Sequence, residues 1–253
     1  MRKNRLKEKL KSGGVAVGAF IWEPAYQLIE ILGILGFDYL YIDCQHSPMS
    51  VETVAQVVRA AELRGLTPQV RSPQNLPEVI LRYLDVGVMG IQVADLDSAE
   101  AARRAVRAVK YPPEGERGLA PTRAADFGLL GTMDEYVKMA NAETMVMGTV
   151  ESREGVENIS EILETKGLDG ISLGLSDLSK SLGVPGQRNH PLVLESIDKV
   201  IAAGKKAQKP IGVMVAGNES PRQYIEKGFR IVNKNIMSYV VSGARQFLEE
   251  ARK

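Results

Sequence analysis

The feature that most constrains the fold is a regular alternation of short apolar segments with segments of helical periodicity. Eight segments rich in Val, Ile or aromatic residues predict strands, at residues 15–21, 39–43, 67–71, 90–93, 144–151, 170–174, 211–215 and 229–235. Apolar residues at steps of three and four predict helices between them, as in residues 51–61, 154–165 and 193–207. A chain that alternates strands and helices in this way forms a mainly parallel sheet.

Glycines mark the ends of four of the predicted helices. Gly36, Gly87, Gly167 and Gly228 each stand shortly before a predicted strand, where a left-handed residue commonly ends a helix. Eight strand–helix units in 253 residues favour a closed barrel over an open doubly wound sheet, since such a barrel needs about 250 residues. We therefore expect an α/β fold, a single-domain (β/α)8 TIM barrel spanning residues 1–253. The long irregular stretch at residues 111–132 is expected to be a functional loop.

Charge and cysteine content exclude several classes of protein. The chain carries 32 basic and 31 acidic residues, a net charge of +1, and so has no electrostatic reason to bind nucleic acid or an anionic membrane. No apolar run approaches the ~20 residues of a membrane helix, and the basic residues 1–12 predict a solvated first helix rather than a targeting signal. Cys44 is the only cysteine, which rules out an intrachain disulfide and a multi-cysteine zinc site and fits a cytoplasmic protein.

Polar residues stand where several of the predicted strands end. The second, third and fifth strands end in Asp43, Arg71 and Glu151. His46 follows the second strand, and Asp177 follows the sixth. Because the C-terminal ends of barrel strands meet at one face, we expect two carboxylates, an imidazole and a guanidinium to share a common space.

That set of residues has a chemical logic. Glu151 and Asp177 offer oxygen ligands, which suit a hard divalent cation such as Mg2+ or Mn2+. Such a cation can chelate a 2-oxo acid and stabilise its enolate as a Lewis acid. Arg71 can stabilise the same developing oxyanion, and His46 can act as a general base near neutral pH. Backbone amides at Ser176 and Asp177, where a helix is predicted to begin, can hold the substrate carboxylate.

Each of these residues also has a purely structural explanation. Acids at strand ends often cap the following helix, and Asp43 could simply hold the loop that follows it. Arg71 could be an ion-pair partner of Asp43 or Glu151, and a lone histidine in a loop, such as His46, usually faces solvent. Only their convergence at one barrel face favours a barrel enzyme that depends on a metal.

Ordered motifs cover nearly the whole chain. They are GFDYLYIDCQH at 36–46, PQVR at 68–71, LDVG at 84–87, YPPEGERG at 111–118, TRA at 122–124, VESRE at 150–154 and GLSDLS at 174–179. In order and spacing they resemble the HpcH/HpaI family of class II pyruvate aldolases. That family includes 4-hydroxy-2-oxoheptanedioate aldolase and the 2-keto-3-deoxy sugar-acid aldolases.

The resemblance implies a role for each matching residue. Glu151 and Asp177 correspond to ligands of a divalent metal, Mg2+, Mn2+ or Co2+. His46 corresponds to the base that takes the proton from the 4-hydroxyl of the substrate, and Arg71 to the group that stabilises the transition state. Asp85 matches the acid that raises the basicity of that histidine. However, Asp85 stands just before a strand and so belongs to the opposite barrel face, from which it could reach His46 only across a subunit contact.

The resemblance also implies the substrate contacts and the assembly. The implied contacts are Thr149, Gly174, Ser176 and Asp177. Proteins of this family are typically hexamers that exchange a C-terminal helix, for which residues 237–252 are the candidate. Two positions depart from the family pattern. Thr149 replaces a glutamine that contacts substrate, and the eighth strand reads Asn233-Lys234-Asn235 where a Gly-x-Asp pattern is usual.

Three functions follow from these observations. The first is a metal-dependent aldolase that makes or cleaves the C3–C4 bond of 4-hydroxy-2-oxo acids, with pyruvate and an aldehyde as its small-molecule partners. The second is an aldolase that forms a Schiff base on Lys234, which would leave Glu151 and Asp177 without a role. The third is a non-catalytic barrel that binds a 2-oxo acid.

Overall fold

The strands of the computed structural model, which describes residues 2–252, are short and run parallel to one another. They are β1 (Ala16–Ile21), β2 (Tyr39–Asp43), β3 (Thr67–Ser72), β4 (Gly90–Val93), β5 (Met145–Val150), β6 (Gly170–Leu173), β7 (Ile211–Met214) and β8 (Ile231–Asn235). Each strand pairs with its neighbours in sequence, and β8 pairs with β1 to close the barrel. The predicted (β/α)8 barrel is confirmed, and the strand ends differ from the predicted ones by at most two residues.

Helices separate the strands and surround them. They are α1 (Arg5–Lys11), α2 (Tyr26–Ile34), α3 (Val51–Leu63), α4 (Pro77–Asp85), α5 (Ala99–Val109), α6 (Met133–Glu143), α7 (Arg153–Glu157), α8 (Ile159–Glu164), α9 (Leu175–Ser181), α10 (Pro191–Ala207), α11 (Pro221–Lys227) and α12 (Ile236–Ala251). The glycines predicted to end helices, Gly36, Gly87, Gly167 and Gly228, all have positive φ, between 87° and 117°. Glycine adopts this conformation without the steric cost that a Cβ would bring.

One helix prediction was wrong in detail. Residues 154–165 form two short helices, α7 and α8, instead of one. The break lies at Asn158, whose side-chain Nδ2 donates to the carbonyl oxygen of Asp97 at 2.8 Å. A short polar side chain that bonds to backbone elsewhere competes with helix continuation, and periodicity alone does not reveal this.

The inside of the barrel is packed at its N-terminal end. Leu6 of α1 lies in an interior cluster with Tyr39, Met145 and other buried residues. Gly18 is required there, because a Cβ at that position would lie 2.3 Å from the ring of Tyr39. Since side chains fill this end, a small molecule can enter the barrel only from the C-terminal ends of the strands.

Two exposed apolar regions stand apart from this core. In the predicted loop at 111–132, a single 3-10 helix (Arg123–Gly128) leads into Leu129 and Leu130, which are both exposed. In α12 only Ile236 is buried, while Phe247 and Leu248 are exposed.

Within residues 2–252, no helix is both long and apolar enough to span a bilayer.

Candidate active site

The two predicted metal-binding carboxylates lie at the same rim of the barrel. Glu151 follows β5, and Asp177 stands in the first turn of α9, directly after β6. Both line a cavity that leads into the barrel and a shallower depression on its outer side. Glu151 is buried and Asp177 is exposed, and they are close enough for the charge of Asp177 to raise the pKa of Glu151.

Glu151 is held in a position that opposes its ionisation. Burial is the main cause that raises its pKa, to about 7. The backbone N–H of Asp95 donates to Oε1 at 3.3 Å and opposes the shift, whereas the negative charges of Asp95 and Asp177 add to it. A cation beside this carboxylate would remove most of the cost of burying its charge.

This donor set fits a hard divalent cation. Within residues 2–252, the His, Cys, Asp and Glu side chains form no group of three or more that could hold a metal. The two carboxylates Glu151 and Asp177, which line the same cavity, suit a cation whose remaining positions are filled by water or substrate oxygens, as is usual for Mg2+. Cys44 is buried and lies outside the group that lines the cavity.

Arg71 is fixed beside this cavity by Asp43. Its Nε and Nη2 donate to the two carboxylate oxygens of Asp43 at 2.9 and 2.8 Å. Burial by itself would lower the pKa of Arg71, but the bonds to Asp43 and the nearby negative charges raise it. The guanidinium therefore stays charged and points to one place, as a group that stabilises an oxyanion must do.

Asp43 also shapes the loop that carries His46. The backbone N–H groups of Gln45 and His46 donate to Asp43 Oδ1 at 3.0 and 3.3 Å. His46 is exposed and lines the outer depression together with Glu151 and Asp177. Asp43 is fully buried, and its carboxylate bonds both to the backbone of the loop that carries His46 and to the guanidinium of Arg71. The structure thus brings the four predicted residues together at one rim.

Asp85 lies elsewhere. It is the last residue of α4 and precedes β4, at the N-terminal end of the barrel. Its Oδ1 accepts from Nη2 of Arg117 at 3.0 Å. Within one chain it is therefore separated from His46, and its predicted catalytic role would require a second subunit.

The predicted substrate contacts line the cavity between β5, β6 and the start of α9. A Cβ on Gly174 would lie 2.7 Å from Oε2 and 2.8 Å from Cβ of Glu151, so glycine permits α9 to begin close to that carboxylate. Ser176 lies in the first turn of α9, where backbone N–H groups lack partners within the helix. Thr149 is buried, and its Oγ1 accepts from Nε2 of Gln92 at 2.8 Å.

Sequence reasoning missed several polar residues of this cavity. Gln92 on β4, Arg188 after α9 and Asn233 on β8 line it beside the predicted residues. A signal was available for two of them, because Gln92 interrupts an apolar strand and Asn233 begins the polar end of β8, Asn233-Lys234-Asn235. In a barrel, such positions face either the helices or the interior, and a polar group there needs a reason.

Lys234 lies outside this cavity. Its Nζ donates to the carbonyl oxygen of Gly217 at 2.8 Å and lies 5.4 Å from the ring centroid of Tyr239. It lines a groove against α12. A Schiff base on Lys234 would therefore form outside the cavity that Glu151 and Arg71 line.

Known proteins resemble the chain along almost its full length. Residues 17–241 match the family described as HpcH/HpaI aldolase/citrate lyase. A 5-keto-4-deoxy-D-glucarate aldolase of Citrobacter koseri is 33% identical over 252 residues, which cover 99% of this chain and 96% of that protein. A family protein from Burkholderia cenocepacia has the same fold, with a TM-score of 0.93, 33% identity and coverage of 99% and 100%. The citrate synthase SbnG superimposes with a TM-score of 0.88, 27% identity and coverage of 99% and 98%.

Proposed function

Because this chain belongs to the HpcH/HpaI aldolase/citrate lyase family of carbon–carbon lyases, we propose that it makes or cleaves the C3–C4 bond of 4-hydroxy-2-oxo acids. The observation that carries this proposal is the convergence of Glu151, Asp177, Arg71 and His46 at one rim of the barrel. Each group has a distinct task in a retro-aldol reaction.

The proposed mechanism assigns these tasks by position. Glu151 and Asp177 would hold Mg2+, Mn2+ or Co2+, which supplies a Lewis acid when bound. The amides at the start of α9 orient the substrate carboxylate. His46 removes the proton from the 4-hydroxyl, the C3–C4 bond breaks with its electron pair kept by the pyruvate enolate, and the aldehyde leaves. The proton held by His46 then returns to C3 of the enolate, which gives pyruvate. Arg71, held by Asp43, stabilises the negative charge that develops on the enolate oxygen.

The substrate class is proposed from the relatives. The 5-keto-4-deoxy-D-glucarate aldolases among them act on a sugar-acid derivative. We infer that this enzyme takes a 2-oxo acid of the same kind, with pyruvate as the common product. The enzyme is proposed to work in the cytoplasm, without a nucleic-acid or membrane partner.

We further infer that the active form is a homo-oligomer, a hexamer, in which α12 packs on a second copy. Support comes from α12, whose Phe247 is 70% exposed while Ile236 alone is buried. The change Phe247→Asp should reduce the mass measured by light scattering, because it places a charge in the contact. Gln246→Asp adds the same charge at a polar neighbour and should leave the mass unchanged. An unchanged mass in Phe247→Asp would count against this role of α12.

The function can be tested with pyruvate alone. A working site exchanges the methyl protons of pyruvate with D2O when a divalent cation is added, and a chelator stops the exchange. Glu151→Gln keeps the shape of the side chain but removes its charge, and should reduce exchange at least about a hundredfold. A panel of aldehydes then identifies the acceptor. Full cation-dependent exchange in Glu151→Gln would refute the assignment of the metal site.

The two alternative functions predict different results. A Schiff-base enzyme would be trapped on Lys234 by borohydride and pyruvate, and would ignore the chelator. A barrel that only binds a 2-oxo acid would bind pyruvate without exchanging its protons.

A further inference from the structure

Asn233 is a polar residue on the wall of the cavity that the two carboxylates line. It lies on β8, between Gly18 of β1 and Met214 of β7 in the strand register. It is 6% exposed, yet it lines the same cavity as Arg71 and Glu151. A residue buried by the barrel but open to the cavity is placed to touch whatever enters it.

One end of its carboxamide has no partner. Nδ2 donates to the hydroxyl of Tyr39 at 3.1 Å, whereas Oδ1 makes no hydrogen bond. Buried polar atoms in folded proteins nearly always have a partner. Because Asn233 lines the cavity, the missing partner can come from a bound molecule.

The neighbouring polar groups differ in this respect. Nε2 of Gln92 donates to Thr149 Oγ1 at 2.8 Å, and Oε1 of Gln92 accepts from Ser172 Oγ at 3.4 Å. These three side chains satisfy one another. Of these four side chains, only that of Asn233 therefore has a buried polar atom without a hydrogen-bond partner.

The carboxamide can offer either a donor or an acceptor. A half-turn about its last torsion exchanges Nδ2 and Oδ1 with little change in shape. Burial raises the pKa of Tyr39 well above its ordinary value, so its hydroxyl keeps a proton that it can donate to Oδ1 after the half-turn. Nδ2 then takes the position of the atom that now has no partner. The carboxylate and keto oxygens of a 2-oxo acid only accept hydrogen bonds, so they match a donor.

We propose that Asn233 binds the 2-oxo acid directly, with its Nδ2 donating to a substrate oxygen while Tyr39 holds its Oδ1. This inference rests on the proposed function and adds a substrate-binding residue from β8. Binding of substrate by Asn233 explains why β8 carries an amide side chain at this buried position, where an apolar residue would otherwise suit the packing.

The test separates substrate binding from structural support. Pyruvate affinity is measured by calorimetry with Mn2+ present for the wild type, Asn233→Ala and Asn233→Asp, and the melting temperature of each variant is recorded. Loss of the donor should weaken binding about tenfold in Asn233→Ala. Binding should weaken further in Asn233→Asp, where a carboxylate would face the substrate carboxylate.

Tyr39→Phe is the matched control. It removes the bond that holds the carboxamide but keeps the Nδ2 donor itself, so it should weaken binding less than Asn233→Ala does, by about threefold or less. Asn233→Asp has nearly the shape of the wild type and stays informative if Asn233→Ala fails to fold.

Two kinds of failure can be told apart. If the wild type neither binds pyruvate nor exchanges its protons, the proposed function is wrong. If the wild type does both and the folded variants of Asn233 bind pyruvate as tightly as it does, only the role of Asn233 is refuted.

Discussion

The raised pKa of Glu151 leads to a prediction about stability as well as activity. The pKa rises from an ordinary value of 4.5 to about 7 on folding, so the folded chain holds this proton more tightly than the unfolded chain. Stability is therefore lost as the pH rises from about 4.5 through about 7, and the loss is complete above that range. A rise in pKa from 4.5 to about 7 in this buried side chain corresponds to about 3 kcal/mol.

Glu151→Gln removes this loss of stability, because the amide has nearly the same shape as the carboxyl group and cannot ionise. Without divalent cations at pH 8, the variant should be more stable than the wild type by about 3 kcal/mol, or roughly 6 to 12 °C in Tm. At pH 5 the difference should fall below about 1 kcal/mol. An excess of Mg2+ or Mn2+, at about 100 times its Kd, should stabilise only the wild type, by about 2.7 kcal/mol.

The assay is urea unfolding in the presence of a chelator, followed by the fluorescence of Trp22, the only tryptophan, and by circular dichroism. Glu154→Gln is the matched control. It changes an exposed carboxylate in α7, and its effect should be about 0.5 kcal/mol or less at either pH. Equal or lower stability of Glu151→Gln at pH 8 would refute the claim that folding opposes the ionisation of Glu151.

Two further predictions concern the groups around Glu151. Asp43→Asn leaves Arg71 with a neutral partner in place of a paired carboxylate. The kcat for pyruvate proton exchange should therefore fall about tenfold to a hundredfold, with a smaller change in KM. Unchanged kinetics would count against positioning of Arg71 by Asp43. Gly174→Ala places a Cβ 2.8 Å from Cβ of Glu151, so calorimetry should show Mn2+ affinity reduced about tenfold or more. Gly243→Ala, which meets no atom within 4 Å, is the control, and equal affinities would refute the crowding argument.

Much of the fold and part of the site could be predicted from local patterns. Val51, Val54 and Val58 recur at helical spacing, and the segment at 39–43 is a short apolar run that ends in an acid. The barrel topology then brings the strand ends together by its own geometry. For that reason Glu151 and Asp177 could be placed at one rim before their surroundings were known.

Contacts between distant segments could not be predicted in this way. Sequence reasoning left two partners open for Arg71, and the structure shows that its hydrogen bonds go to Asp43, 28 positions away. The pairing of Asn233 with Tyr39 spans 194 positions. No periodicity or motif encodes such pairs.

The sequence by itself determined the alternation of strands and helices, the glycine helix ends and the set of residues that stand at strand ends. These depend on backbone preferences and on hydrophobic spacing within a few residues. The tertiary structure alone decided which side chains are buried, which buried polar atoms lack a hydrogen-bond partner, and how far the pKa of Glu151 is raised. Those properties depend on the loss of water around each group and on neighbours supplied by other strands, and both arise only when the barrel closes.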